Sequence, residues 1–404
     1  MKNTDITIIG GGMVGLALAA LLKEADCQIK IIEKSQPFFE PHLLTNRVSA
    51  INFASQTMLE KVGAWQTIPE NKRSPYTKMH VWEKDSFAKI EFDNETNEIK
   101  SLGLDQLGFI IENQHIQNAL WQQVNNQQNV EIILAQPQTL EINDSTAFLT
   151  LNNNEILTSK LVIGADGANS WVRSKMNIPL ISRDYQHTAL VCNVNTQESH
   201  QQTAWQIFSP DSILAFLPFK DEHHCSIVWS LPPEKANQLV SCDITEFNKA
   251  LTIAFDNKLG LCELTTDLQN PRGIYPLTAR YCRNFAQNRV ALIGDAAHTI
   301  HPLAGLGVNL GFADAIEMAN QIKVNLTKGL DIGEYRQLRD YERKRKVEAV
   351  KLLGAMDVLK ETFAGDNPVK KLVRGVGLSV TNQLPLIKNR LLQQSIGLSI
   401  LSNI

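Results

Sequence analysis

The groups best suited to chemistry in this 404-residue sequence are glycines and carboxylates that stand just after apolar runs. The first cluster is Gly10-x-Gly12-x-x-Gly15, behind Ile6 to Ile9 and ahead of the helix-forming run Leu16 to Leu22. Glycines at this spacing permit a tight turn, a close diphosphate and close helix–strand packing, and the helix start behind them offers free N–H groups and a partial positive charge. A bare strand-to-helix turn also uses glycines. Here, however, Ile29 to Ile32 reads as a second strand ending at the acid Glu33, where a dinucleotide fold places its ribose carboxylate. A carboxylate there accepts a ribose 2′-OH and repels a 2′-phosphate, so the pattern predicts the adenosine half of FAD or NAD and not of NADP.

Two later clusters choose between those cofactors. Asp166, Gly167 and Arg173 follow the run Leu161 to Gly164, and Asp295 and His298 follow Val290 to Gly294. Either aspartate alone reads equally well as a helix N-cap. Two on one sheet edge, beside a single glycine fingerprint, are better explained together as ribose and pyrophosphate contacts to an extended flavin. Beyond Asp295 stands Pro302, leading through Gly305 and Gly307 to Val308 and Asn309. A glycine-rich helix start can present backbone N–H groups to the N1/C2=O edge of an isoalloxazine and stabilise the anion formed on reduction. Pro302 and His298 are the candidates nearest a reacting ring; the competing reading of His298 is a histidine that hydrogen-bonds its own loop. His223, His224 and His301 lack companion ligands at metal spacing, so no metal is expected.

These residues require a frame. The succession strand, glycine turn, helix, strand is a βαβ unit with parallel strands, and it predicts an open α/β sheet with a ligand at the strand ends. The runs at Leu161 and Val290 read as further buried parallel strands of that sheet. Between them, about Tyr185 to Leu231, the pattern alternates as an antiparallel sheet does, and Lys78 to Glu83 adds strands to it. The fold class is therefore α/β, with an inserted, mostly antiparallel second domain, and the chain turns largely helical after Gly311.

Composition limits the rest. With 43% hydrophobic residues the chain can bury two or three cores, which excludes disorder and a fibre. A net charge of −3 offers no field for nucleic acid. Six cysteines without a CxxC pair suggest a reduced, cytoplasmic setting. No apolar run is long enough to span a membrane. The net charge hides an asymmetry: residues 334–404 hold 13 Lys+Arg against 7 Asp+Glu, so the rest of the chain carries −9. In the tail, Lys370, Lys371, Arg374, Lys388 and Arg390 alternate with Leu372, Val376, Leu378, Leu386, Ile387, Leu391 and Leu392. Such a pattern suits either a solvated helix face or an amphipathic surface against anionic lipid.

In combination, GxGxxG, GADGANSWVR and GDAAHTIHPLAGLGVNLGFADA resemble the para-hydroxybenzoate hydroxylase superfamily of single-component flavoprotein aromatic hydroxylases. The segments from Asn46 to Trp65, Met79 to Glu83 and Leu107 to Gln114 are similar to its ubiquinone-biosynthesis branch, the UbiH/UbiF type. The resemblance implies a Rossmann-like FAD-binding domain over 1–75, 100–182 and 271–335, a substrate-binding sheet over 76–99 and 183–270, and a helical basic region over 336–404. It implies that Gly10, Gly12, Gly15 and Glu33 hold the ADP half of FAD, with Arg47 and Gln114 near the diphosphate or ribityl chain. Asp295 would meet the ribityl side, Gly307, Val308 and Asn309 the ring, and Asp166 and Arg173 both FAD and the reducing nucleotide. One departure is Leu306, where the branch usually has glutamine; the backbone is kept, and the missing side chain bears on the flavin or substrate pocket.

The implied activity is hydroxylation of a polyprenylated phenol or quinol through a flavin C4a-hydroperoxide, with O₂ as co-substrate and NADH, NADPH or a protein donor as reductant. Two other readings stand beside it: a reductase or oxidase on the same frame, and a non-catalytic flavoprotein scaffold in a multiprotein ubiquinone-synthesis assembly. The substrate's bilayer location implies peripheral contact at the inner face of the inner membrane.

Overall fold

The computed structural model describes residues 2–41, 43–87, 89–95, 99–100, 103–266, 271–299, 307–363, 389, 392–401 and 404. Its centre is a six-stranded sheet in the order Ala286–Gln287, Val290–Leu292, Leu161–Gly164, Ile6–Ile9, Ile29–Glu33, Val130–Leu134. All neighbours are parallel except the edge strand Ala286–Gln287. Every residue of Ile6–Ile9 and Leu161–Gly164 is buried, because helices cover the sheet and leave no polar face. One of them, Met13–Leu21, buries seven of its residues and packs against the helix Gly307–Thr327.

The second sheet is larger. It runs in the order His298–Thr299, Gly273–Cys282, Leu180–Thr196, His224–Leu231, Ser212–Pro218, Thr203–Ser209, Lys78–Glu83, Lys89–Asp93. The pairing is antiparallel except between Thr203–Ser209 and Lys78–Glu83. Alternation sends successive side chains to opposite faces. Cys192, Val194, Phe216, Ile227 and Trp229 form one core together with Ala236, Leu239, Phe247 and Leu251 of the helices Pro233–Ser241 and Ile244–Ala254. On the other face, Leu217 and Val228 join Ala50 and Tyr76, and Ala189 joins Leu277 and Ala279.

Strand Gly273–Cys282 differs from the sequence reading, which counts residues from 271 with the cofactor domain. It pairs along the 17-residue strand Leu180–Thr196, from Leu180 opposite Cys282 to Val191 opposite Gly273. The two long strands bridge the parts of the molecule, so a cut at 271 divides a ladder. Two smaller sheets escape the sequence reading altogether. One joins Lys2–Asn3, Ile156–Ser159, Ala147–Leu151 and Pro137–Ile142; the other joins Val48–Ile51, Gly108–Glu112 and Ser74–Tyr76.

The helical C-terminal part includes Tyr335–Phe363 and Leu398–Leu401. Of the alternating tail residues, Lys370 through Lys388, Arg390 and Leu391 lie outside the described residues. Leu392 does not face lipid: it is 3% exposed, in a cluster with Ala50, Tyr76 and Leu217. Among the described residues no helix is long and apolar enough to cross a membrane.

Candidate active site

The fingerprint turn is shaped by two glycines for reasons internal to the protein. Gly10 has φ +112°, and a Cβ there would stand 2.4 Å from the Ala165 carbonyl oxygen. This left-handed setting favours a residue without a side chain. A Cβ on Gly15 would stand 2.2 Å from the Gly10 oxygen. Gly12 is different. A Cβ there would meet no atom within 4 Å, and its φ of −75° suits any residue. Gly12 is also the N-cap of helix Met13–Leu21, which has neither a side-chain cap nor an acidic residue in its first turn. Open space therefore lies against uncapped helix N–H groups, the arrangement a diphosphate requires. Glu33 reaches the same turn from its strand end: Gly11 N–H donates to its Oε2 at 2.5 Å. Gln117, unremarked in the sequence, donates to the Gly11 oxygen at 3.0 Å.

Beside this turn, the motif Glu112-Asn113-Gln114 grips the segment leading to Arg47. Glu112 Oε1 accepts from Thr45 N–H at 2.7 Å, and its Oε2 stands 3.1 Å from Lys72 Nζ and 3.4 Å from His115 Nε2. Burial pushes this carboxyl up, but His115, the Thr45 amide and Lys72 outweigh it and hold it at about 2, because hydrogen bonds and a nearby cation favour the charged form. Gln114 Nε2 donates to the Leu43 oxygen at 2.7 Å, so its side chain acts on the loop's backbone. Asn193, on the large sheet, donates to the Thr45 oxygen at 3.2 Å. Arg47 itself is exposed, with its guanidinium 5.7 Å from the Tyr275 ring centroid.

At the next strand end Asp166 does what a helix cap does. Its Oδ2 accepts from Trp171 N–H at 2.7 Å and Val172 N–H at 3.1 Å. Its Oδ1 is buried and has no partner among the described residues. Arg173, 8% exposed, donates to the carbonyls of Ala296 at 3.0 Å and Ala168 at 2.8 Å, tying this loop to the Asp295 turn. Asp295 is open to solvent on its outer side. The protein around it still pushes its carboxyl up by burial, against the opposing pull of His298, Arg47 and Arg280.

His298 is 3% exposed and its Nε2 lies 2.7 Å from Asp314 Oδ2, so the contacts it makes are those of a histidine bound to its own fold. Pro302, with His301, Gly305 and Leu306, lies outside the described residues. Gly307 opens the 21-residue helix, and a Cβ there would meet nothing within 4 Å. Val308 is half-buried. Asn309 turns its side chain into the protein, accepting from Asn52 N–H at 3.1 Å and donating to the Ala50 oxygen at 2.7 Å.

Sequence reasoning misses two further features. Asp314, fully buried in the same helix, accepts from Gly294, His298 and Arg345; the signal available was a carboxylate inside the apolar run Gly311 to Ala319. The other is the chain's end: Asn52 Nδ2 donates to the Ser395 oxygen at 3.1 Å, and Ile396 is buried beside Leu392. No local pattern announces the partners of either.

Of the histidines weighed as metal ligands, His301 lies outside the described residues, and the other two have partners of their own. His223 Nδ1 lies 2.9 Å from the Thr196 oxygen and His224 Nε2 3.5 Å from Thr265 Oγ1, and no three potential ligands converge among the described residues.

Known proteins resemble this chain in sequence and in fold. The sequence matches the FAD binding domain family over residues 3–354. It is 32% identical over 402 residues to the 3-demethoxyubiquinol 3-hydroxylase of Escherichia coli (strain K12), covering 98% of this chain and 99% of that one. It is 34% identical over 436 residues to the mitochondrial ubiquinone biosynthesis monooxygenase COQ6 of Xenopus tropicalis, covering 96% and 92%. Among solved structures, the p-nitrophenol 4-monooxygenase PnpA of Pseudomonas putida DLL-E4 superposes with a TM-score of 0.77 at 18% identity, over 98% of this chain and 99% of that one. PqsL of Pseudomonas aeruginosa gives 0.76 at 18%, over 94% and 100%. At that identity the likeness concerns the fold.

Proposed function

Because this chain belongs to the FAD binding domain family and, within it, to the ubiquinone-biosynthesis hydroxylases, we propose that it is an FAD-dependent monooxygenase acting on the aromatic ring of a polyprenylated phenol or quinol. The observation that carries this reading is Gly12: packing would admit a side chain, and the sequence keeps open space against an uncapped helix start. A carboxylate for the ribose, Glu33, stands at that turn, and the buried Asp166 Oδ1 is a free acceptor on the same sheet edge. These residues fit FAD.

In this reading Gly10, Gly12, Gly15 and Glu33 take the ADP half. Arg47 lies beside the ribityl or diphosphate region, and Gln114 acts by holding the loop that carries it. Asp295 takes the ribityl side, while Gly307, Val308 and Asn309 offer backbone N–H groups at the ring. Asp166 and Arg173 secure the loop between the cofactor and the sheet. Bound there, FAD would supply the redox chemistry, carrying two electrons from NADH, NADPH or a protein donor to O₂ so that one oxygen atom goes to the ring and the other to water. The chain's own part is to orient the ring and to exclude water. We count Gly273–Cys282 with the large sheet, and assign to the basic C-terminal region, on composition, contact with anionic lipid.

The purified protein, loaded with FAD and given a short-chain polyprenyl phenol, a nicotinamide reductant and labelled O₂, should return a product with one labelled oxygen. An unlabelled product would support the reductase or oxidase reading instead. Full restoration of quinone synthesis by a Gly12→Val variant that binds no FAD would support the scaffold.

A further inference from the structure

The turn Gly294–Ala296 and the helix Gly307–Thr327 supply the ribityl-side and ring-edge contacts in the reading above, yet they are separate elements whose spacing must be set by something. One carboxylate joins them. Asp314 Oδ2 accepts from Gly294 N–H at 2.8 Å and lies 2.7 Å from His298 Nε2, and Oδ1 accepts from Arg345 Nε at 2.5 Å. Arg345 Nη2 also donates to the Leu310 oxygen at 3.3 Å, near the start of the same helix. Asp314 is fully buried, and the side chains of His298 and Arg345 are 3% and 5% exposed. Gly294 has φ +60°, a left-handed setting that glycine adopts without strain. That setting delivers its N–H inward to Asp314 and leaves Asp295 outward.

We infer that Asp314 is a positioning residue for the flavin: its carboxylate fixes Asp295 relative to the N–H groups of Gly307 to Asn309. Arg345 extends that link to the helix Tyr335–Phe363, which packs against Gly307–Thr327. A buried ion pair alone is a poor source of stability, since apolar residues of similar volume often serve as well. What an apolar residue cannot do is accept an N–H from the cofactor turn. The neighbouring ion pair Glu317–Lys344 joins the same two helices, and so supplies a comparison.

This inference rests on the proposed cofactor site, and the two can fail separately. Fluorescence titration of FAD, visible circular dichroism of the bound flavin and melting of the apoprotein should be compared for wild type, Asp314→Asn and Glu317→Gln. Asp314→Asn should weaken FAD binding about tenfold, the scale of leaving one buried polar group poorly paired, and alter the flavin dichroism well below the melting temperature. Glu317→Gln should move melting alone. Wild type without FAD affinity would overturn the site itself; wild-type affinity and dichroism in Asp314→Asn would overturn only the positioning role. Should Asp314→Asn not fold, His298→Gln decides: FAD affinity lowered several-fold supports the inference, and unchanged affinity overturns it.

Discussion

The two halves of the candidate cofactor site are built by opposite means. The half around Gly10 to Gly15 is made by side chains that are missing, so that backbone and helix start approach closely. The half around the Arg47 loop and the Asp295 turn is held by buried carboxylates, Glu112 and Asp314, each gathering donors from several elements. The first half should therefore fail on added volume, and the second should tolerate small volume changes and fail on loss of charge.

The largest effect is expected from Gly15→Val, because its Cβ would fall against the Gly10 oxygen. About 3 kcal/mol or more should be lost, measured by urea unfolding. Glu112→Gln comes next. The Glu112 carboxyl sits at about 2 in the folded protein, below its ordinary 4.5. Its contribution is therefore present above the unfolded value and is lost as pH falls through the folded one. Wild-type unfolding free energy should thus fall across that window by roughly 3 kcal/mol from this group, and the Gln variant should lack that part of the slope. Equal acid slopes would remove Glu112 as an anchor. Gly12→Ala adds a Cβ that meets nothing. It should leave stability within about 0.5 kcal/mol by the unfolding assay while weakening FAD at least tenfold in a fluorescence titration. Asn52→Ala removes the cap on Ser55 N–H and the link to Ser395. Its cost should be about 1 kcal/mol by the same unfolding assay.

The same contrast explains what could be read from sequence. The glycine half is local: Gly10, Gly12, Gly15 and Glu33 declare themselves by spacing, and the parallel strands by unbroken apolar runs. The second half depends on partners far apart in the chain. Asp314 meets Arg345 across 31 residues and Gly294 across 20, and Asn52 meets Ser395 across 343. Periodicity carries no such information. For His298 the sequence leaves two roles open, a place near the reacting ring and a hydrogen bond to its own loop; the partner it has, Asp314, lies 16 residues on. Asp166 bonds the start of the helix Trp171–Lys175 through Oδ2, while its buried Oδ1 has no partner among the described residues.

As a ubiquinone-biosynthesis hydroxylase this chain should add one oxygen atom to a ring, and mass-spectrometric quinone profiling of cells lacking the protein reads that step. Loss of ubiquinone with accumulation of a polyprenylated intermediate short of one ring hydroxyl is the predicted result; unchanged ubiquinone with no accumulated intermediate would contradict it.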